Sequence, residues 1–262
     1  MKRDNPRISA VRPDLFLIPA ERPNSHTYLI KGTFKNILID TGLPSNFPHL
    51  QASLAEVGLK PKDIQLIILT HEHLDHIGGA VYFSESAVIA AHCLAANKIS
   101  IGDEFVLMNK HFNLPARSFS PDLWLDGNNQ LDLGNYRLQT IHTPGHCSGC
   151  LCLYEPDQHL LFTGDTLLAG GIFSGVLTSG NISDQINSLK RLQSLRAETL
   201  LPGHGPISDT PADDIQKAIQ AAMILLRDTR ILFDTLNTQE TFQRLLSSAR
   251  NRPIPIKEPG CV

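Results

Sequence analysis

Residues 69–79 read LTHEHLDHIGG and follow directly on the apolar run QLIIL at 65–69. The run has strand composition. Within six positions after it come four candidate metal ligands, His71, His73, Asp75 and His76. Residues two apart on an extended segment point the same way, so His71 and His73 share a side. Asp75 and His76 are adjacent, and a turn after the strand aims them at a second point nearby. Imidazole and carboxylate suit borderline transition ions, zinc foremost. A polar helix start with scattered histidines is the plainer alternative, but ligand types this dense favour a pair of ion sites. One segment does not close such a pair, so further ligands are expected elsewhere.

They recur at the ends of other apolar runs. NILID at 36–40 delivers Asp40 to a Thr-Gly turn. A carboxylate there is costly to bury; it reads either as a turn aspartate or as the acceptor that orients a ligand histidine through its other ring nitrogen. The run at 136–141 leads into HTPGH at 142–146, where His146 is the candidate third partner of His71 and His73 and His142 is the weaker candidate. LLF at 160–162 ends in TGDT, and the two oxygens of Asp165 suit a bridge between two ions. The run at 199–201 ends in PGHG, with His204 the last candidate. His26 reads as a structural or pocket-wall histidine.

The bulk numbers set the frame. With 262 residues, 42% of them apolar, the chain can bury one large core, and its 18 glycines and 17 prolines imply many turns. Lys and Arg number 23 against 26 Asp and Glu, for a net charge of −3, and no long basic run offers a surface for nucleic acid. No stretch approaches the ~20 apolar residues of a membrane span, and no hydrophobic block of a signal peptide follows the basic start. Five cysteines, three of them at 147, 150 and 152, do not form a secreted disulfide framework. A reducing, cytoplasmic setting is the expectation. The Cys-x-x-Cys pair invites a zinc or redox reading, but the surrounding GCLCLY looks like a buried strand whose thiols pack.

Strands are expected near 15–18, 25–30, 36–40, 65–69, 88–91, 131–133, 136–141, 149–154, 160–162 and 199–201, and helices at 48–57, at 95–108 with an interruption at Gly102, and after Asn181. A helical tail runs from about 210 to 248, with a second short helix starting at Asn237 and Glu240. The alternation of strands and helices is that of an α/β layer. Residues 109–122 and 167–180 read as apolar-studded loops. Phe112, Phe119 and Phe173 in them are candidate pocket residues, with His26 beside them.

Taken together, the ligand-type residues and the framing words IDTG (39–42), TPGH (143–146), TGDT (163–166) and LPGHG (201–205) resemble the metallo-β-lactamase fold superfamily over about 14–208. The resemblance implies an αββα sandwich, two mixed β-sheets flanked by helices; the whole chain, 1–262, is expected to be one domain, with its motif-bearing core at about 14–208 and the helical tail at about 210–248. It also implies that His71, His73 and His146 hold one ion, that Asp75, His76 and His204 hold a second, that Asp165 bridges them, and that Asp40 supports from behind. Two Zn²⁺ are the expected cofactors, with Fe or Mn as alternatives. The implied reaction is hydrolysis by a metal-held hydroxide, with Asp75 as the catalytic carboxylate that orients it or takes its proton.

Within that family the chain looks similar to thioesterases of the glyoxalase II kind and to lactonases. Asp165 stands where true β-lactamases usually lack an aspartate. His73 stands where the flavin-partnered diiron enzymes carry a glutamate. Leu167 and Leu168 replace the tyrosine common in acyl-homoserine lactonases. The expected substrate is a small neutral or weakly anionic carboxylic ester, thioester or lactone, because 109–124 and 167–180 are apolar and offer only Lys110, His111 and Arg117 as cations. A phosphodiesterase or β-lactamase-like hydrolase is the alternative within the fold. An iron redox or binding module is the alternative outside hydrolysis.

Overall fold

The computed structural model describes residues 7–115 and 119–236, the last eight of them as backbone only. The chain divides into two units, 1–222 and 223–262. The compact body thus ends beyond the motif-bearing stretch. Of the second unit, residues 223–236 are described, as helix. The expected short helix at 237–240 and the rest of the tail lie outside the described residues.

The body holds two sheets. The first has seven strands in chain order: β1 (Ser9–Arg12), β2 (Leu15–Ile18), β3 (Thr27–Lys31), β4 (Asn36–Ile39), β5 (Leu66–Leu69), β6 (Val88–His92) and β7 (Leu123–Leu125). Pairing is antiparallel from β1 to β4 and parallel from β4 to β7. The second has five, β8 (Gln130–Asp132), β9 (Arg137–His142), β10 (Leu151–Glu155), β11 (Leu160–Gly164) and β12 (Thr199–Pro202), with only the β11–β12 pair parallel. Both sheets are therefore mixed.

Period-two alternation decides which residue meets which layer. On the first sheet, Tyr28, Ile30, Ile37, Ile39 and Ile68 turn toward the second sheet and pack with Leu138, Leu151, Leu153, Phe162 and Leu201. Their neighbours Leu29, Leu38, Ile67 and Leu69 turn the other way and pack with Leu50, Leu54, Phe83 and Ile99. A strand buried on both faces reads as a continuous apolar run, which is why NILI and LIIL carry no polar alternation.

Helices close both outer faces. α1 (Phe47–Glu56) carries Pro48 in its first turn, where a missing N–H costs nothing, and buries Leu50 and Leu54. α2 (Leu74–Ile77) is a single turn. α3 (Cys93–Ile101) stops at Gly102, whose φ of +64° is the left-handed cap, so the helix expected over 95–108 is split there. α4 (Asn109–Phe112) follows as a separate turn inside the expected loop. α5 (Ile182–Gln193) begins at Asn181, whose side chain accepts from the N–H groups of Ser183 and Asp184, and buries Ile186, Leu189 and Leu192. α6 (Pro211–Leu236) buries Ile215, Ala218 and Ala222 within the first unit. The result is the four-layer α/β/β/α sandwich. No described helix is long and apolar enough to cross a membrane.

Two strands were not legible as apolar runs. β1 is half-buried at one edge, and β7, at the other, leaves Trp124 50% exposed. Phe162 lies at the centre of the inter-sheet core and meets the Tyr28 ring edge-on at 5.2 Å. Phe162→Ala is expected to lower the unfolding free energy by about 3–5 kcal/mol. Trp124→Ala, at the exposed edge, is expected to cost about 1 kcal/mol or less. Urea midpoints of the two variants, compared at a fixed metal concentration, check the contrast.

Candidate metal centre

The ligand-type residues all sit at strand ends on one side of the sandwich. Asp40 follows directly on β4, with His71 and His73 just past β5 and Asp75 and His76 in α2. His146 follows β9 through the Pro144-Gly145 turn, Asp165 follows β11, and His204 follows β12. Two glycines make the approach possible. A Cβ on Gly203 would meet Asp165 Oδ1 and His76 Cε1, each at 2.8 Å. Gly164 adopts φ +48°, and a Cβ there would meet the Thr70 side chain at 2.7 Å.

Two trios of donor atoms result, and a third group, His71, His76 and Asp165, joins them. The ring nitrogens of His71, His73 and His146 converge, with His73 Nδ1 3.0 Å from both His71 Nε2 and His146 Nε2. Asp75, His76 and His204 form the second trio, with His204 Nε2 3.2 Å and His76 Nε2 3.7 Å from Asp75 Oδ2. Asp165 lies between them. Its Oδ1 is 3.5 Å from His76 Nε2 and 3.6 Å from His204 Nε2, while its Oδ2 is 3.7 Å from His146 Nε2. One carboxylate oxygen thus faces each trio.

Hydrogen bonds behind the rings set which nitrogen is bare. His76 donates from Nδ1 to Asp40 Oδ2 at 2.8 Å, leaving Nε2 toward the site. His146 donates from Nδ1 to the Gly175 carbonyl at 2.9 Å. Thr70 donates from Oγ1 to Asp40 Oδ2 at 2.7 Å, so at 3.1 Å it can accept from His71 Nδ1. In the neutral rings these bonds select the tautomer whose lone pair lies on the inward-facing Nε2. His76 Nε2 and Asp165 Oδ1 are buried with no hydrogen-bond partner among the described residues. Unpaired buried polar atoms are rare, and two of them aimed at one point are what a bound cation would satisfy. The donors, imidazole and carboxylate, fit a divalent ion of the zinc, iron or manganese kind.

The electrostatics agree. Burial holds His71 well below the usual imidazole range, and His73 at about 3, with neighbouring rings adding to the effect. Both are neutral and ready to donate lone pairs at pH 7. Burial would also lower His76, but the carboxylates of Asp75, Asp40 and Asp165 outweigh it and hold its pKa well above the ordinary value. For Asp165, burial pushes upward and His76, His204 and His71 overcome it, keeping the carboxyl well below the usual range. Asp75 is lowered in the same way against its burial, mainly by His76 and His204. The negative field that keeps a proton on His76 is the field that favours a cation in the proton's place.

Other expected residues lie elsewhere. His142 stacks on His92 at 3.7 Å and donates from Nε2 to the Ser148 carbonyl, outside both trios. His26 is held as a strut, its Nδ1 accepting from Ala20 N–H and its Nε2 donating to the Gly205 carbonyl. A cleft of about 350 Å³ opens over the trios. Phe112 lines it, but His26, Phe119 and Phe173 do not. Phe119 instead packs at the edge of the helix-side core and lines a separate hollow with Leu74, Tyr82 and Leu114. The loop near Phe173 presents Leu168, Ile172 and Leu177 to the cleft instead.

The three clustered cysteines are buried. Cys147 donates to Glu72 Oε2 at 3.2 Å and lies 3.1 Å from Cys150 Sγ. Burial raises the Cys147 thiol well above its usual range and pushes Cys152 up to about 12, so both stay as packed thiols rather than nucleophiles. Glu72, between His71 and His73, faces away from the trios and also accepts from Ser179 Oγ at 3.0 Å. Sequence reasoning did not single out Glu72, Thr70 or Arg22, the last of which lines the cleft beside Asp75. For Thr70 the signal was its place directly before His71; for Glu72 it was strand alternation.

Comparison with known proteins agrees with this geometry. The family model of the Metallo-beta-lactamase superfamily matches residues 21–204. An acyl-coenzyme A thioesterase of Gallus gallus, MBLAC2, is 30% identical over 206 residues, covering 69% of this chain and 72% of that protein. A probable metallo-hydrolase of Methanocaldococcus jannaschii is 34% identical over 201 residues, covering 72% of this chain and 91% of its own. The solved structure of TTHA1623 in a di-iron-bound form superposes with a TM-score of 0.64 at 28% identity, covering 76% of this chain and 96% of that one. With its motifs in order, its two trios joined at Asp165 and the family match across most of its length, this chain belongs to the metallo-beta-lactamase superfamily.

Proposed function

We propose that this hydrolase of the superfamily cleaves an acyl thioester with two divalent cations, and that carboxylic esters and lactones are poorer substrates of the same site. What carries the reading is the pair of donor trios sharing Asp165 beneath a cleft with an apolar wall. His71, His73 and His146 would hold one ion, Asp75, His76 and His204 the other, and Asp165 would touch both. Zinc is the leading ion from the donor set, with iron or manganese as alternatives; the di-iron form of TTHA1623 gives iron the stronger claim of the two. Bound there, the ions supply Lewis acidity toward the acyl oxygen and lower the pKa of a water toward neutrality.

The protein's own groups do the rest. Asp75 is ionised at neutral pH and lines the cleft, so it is the carboxylate placed to orient an attacking water and take its proton. Asp40 and Gly175 hold the rings of His76 and His146 in place throughout. Met108, Phe112, Leu168, Ile172 and Leu177 offer an apolar wall on which an acyl chain gains affinity from burial. No protein nucleophile is required, and the nearby thiols are too buried to serve as one. The thioesterase relative supports a thioester ahead of a lactone.

Metal analysis of the purified protein is expected to give about two equivalents per chain. His204→Ala should lose mainly the second ion and His146→Ala mainly the first, each with the fold retained by circular dichroism. A folded, metal-replete protein that binds none would overturn the reading. The pH dependence follows from His76. Its pKa is raised, so near pH 7 the apo protein carries a proton there that an ion must displace, whereas His71 and His73 are already neutral. Occupation of the second trio should release about one proton, and its affinity should fall about tenfold for each pH unit below neutrality. Calorimetry in buffers of different ionisation enthalpy reads this directly. On a panel of an acyl thioester, short- and long-chain lactones, a phosphodiester and a β-lactam, the thioester should show the highest kcat/KM. A dominant phosphodiester would refute the acyl assignment.

A further inference from the structure

We infer that Arg22 is a specificity residue of the cleft, and that the substrate carries an oxyanion, a carboxylate or a phosphate, on its thiol part. The inference rests on the hydrolytic reading of the cleft. Arg22 lies in the connection between β2 and β3, an exposed stretch that sequence patterns gave no reason to place at the site. It lines the cleft together with Asp75, Asp165 and His204. Of the residues lining the cleft it is the one with a permanent positive charge. Its guanidinium makes no ion pair or side-chain hydrogen bond among the described residues. Its acidic neighbour Glu21 lines a separate hollow with Arg7 and His49 rather than the cleft.

The loop is fastened to the site itself. Ser25 donates its N–H to the carbonyl of Asp75 at 3.1 Å, and His26 donates its N–H to the carbonyl of Gly203 at 2.7 Å, one residue before His204. Asn24 Oδ1 accepts from the N–H of Leu43, and the His26 ring ties Ala20 to Gly205. A segment anchored to two ligand-bearing turns holds its tip at a set place relative to the second trio. That is how a charge gains a positioning role rather than a merely solvated one.

The chemistry then sorts the ends of the substrate. The apolar wall of Met108, Phe112, Leu168, Ile172 and Leu177 takes the acyl chain. The two trios, with the ions they would hold, face the scissile acyl group. A charged group further along the molecule needs a partner of its own, and Arg22 offers a planar fork of donors that matches a carboxylate or a phosphate. Because Arg22 is exposed, its effect is that of a screened pair, about fivefold in affinity rather than several hundredfold.

The test uses hexanoyl thioesters of three thiols: neutral N-acetylcysteamine, anionic 3-mercaptopropionate and phosphopantetheine. R22Q is expected to raise KM about fivefold for one or both charged thioesters and to leave the neutral one unchanged, with R22K keeping part of the effect. An effect on the carboxylate alone or on the phosphate alone names the oxyanion. Equal losses on all three, or no loss on any, would overturn the proposal. A succinyl thioester of N-acetylcysteamine moves the charge to the acyl side; a larger R22Q effect there than on the thiol-side anions would also overturn it. If no thioester is turned over, the thioesterase reading fails, and Arg22 is judged from calorimetry of S-hexyl thioethers of the same three thiols. A preference for a charged thioether of about fivefold in the wild type, absent in R22Q, supports the role; the same preference in both refutes it.

Discussion

The carboxylate of Asp40 is the point on which the centre depends. It is buried, and it accepts from the backbone N–H and the hydroxyl of Thr70 and from Nδ1 of His76, at 2.7–2.8 Å. A buried carboxylate is tolerable only when its lone pairs are met this fully. In return it joins the ends of two adjacent parallel strands to α2, fixes the tautomer of His76, and through Thr70 bears on His71. Its backbone sits at φ +58°, a conformation an aspartate adopts more readily than most residues. Strain of this kind persists where the surroundings over-determine the geometry, and here three hydrogen bonds do so.

The layers make that arrangement rigid. Because the inner strands are buried on both faces, their side chains have no freedom to re-register without moving apolar groups into water. The polar loops that emerge from the strand ends inherit that precision. Glu72 extends the network to the rear, where alternation along the extended segment turns it away from its two histidine neighbours. It gathers the Cys147 thiol and the Ser179 hydroxyl, linking the turn that carries His146 with the loop that walls the cleft. The Cys-x-x-Cys spacing thus belongs to packing behind the centre.

Much of this was legible in the chain. Runs such as NILI, LIIL and LLF are apolar because both faces are covered, and each is followed within three residues by Asp40, His71 or Asp165, so strand and site were read together. Edge strands were not, since β1 and β7 bury too little to show a pattern. The break at Gly102 was visible as an interruption but not as a left-handed stop, which depends on the turns that follow. Pocket residues were the least legible. Phe119 and Phe173 are as apolar as Phe112, and only the path of the loops in space decides which of them meets the cleft. Arg22 was invisible for a related reason: its position is set by hydrogen bonds from its loop to carbonyls some fifty and 180 residues further along the chain.

That long reach also bears on how the molecule comes into being. The donor atoms are contributed by segments spread from His71 to His204, and β12, which leads into the last of them, pairs in parallel with β11 across the whole of α5. Contacts so distant along the chain are closed late and slowly, because loop entropy must be paid before they form. The two trios can exist only after both sheets have docked. A cation captured there would act as a clasp on a finished fold, adding its binding free energy to the native state alone and slowing the reopening of its least local joints.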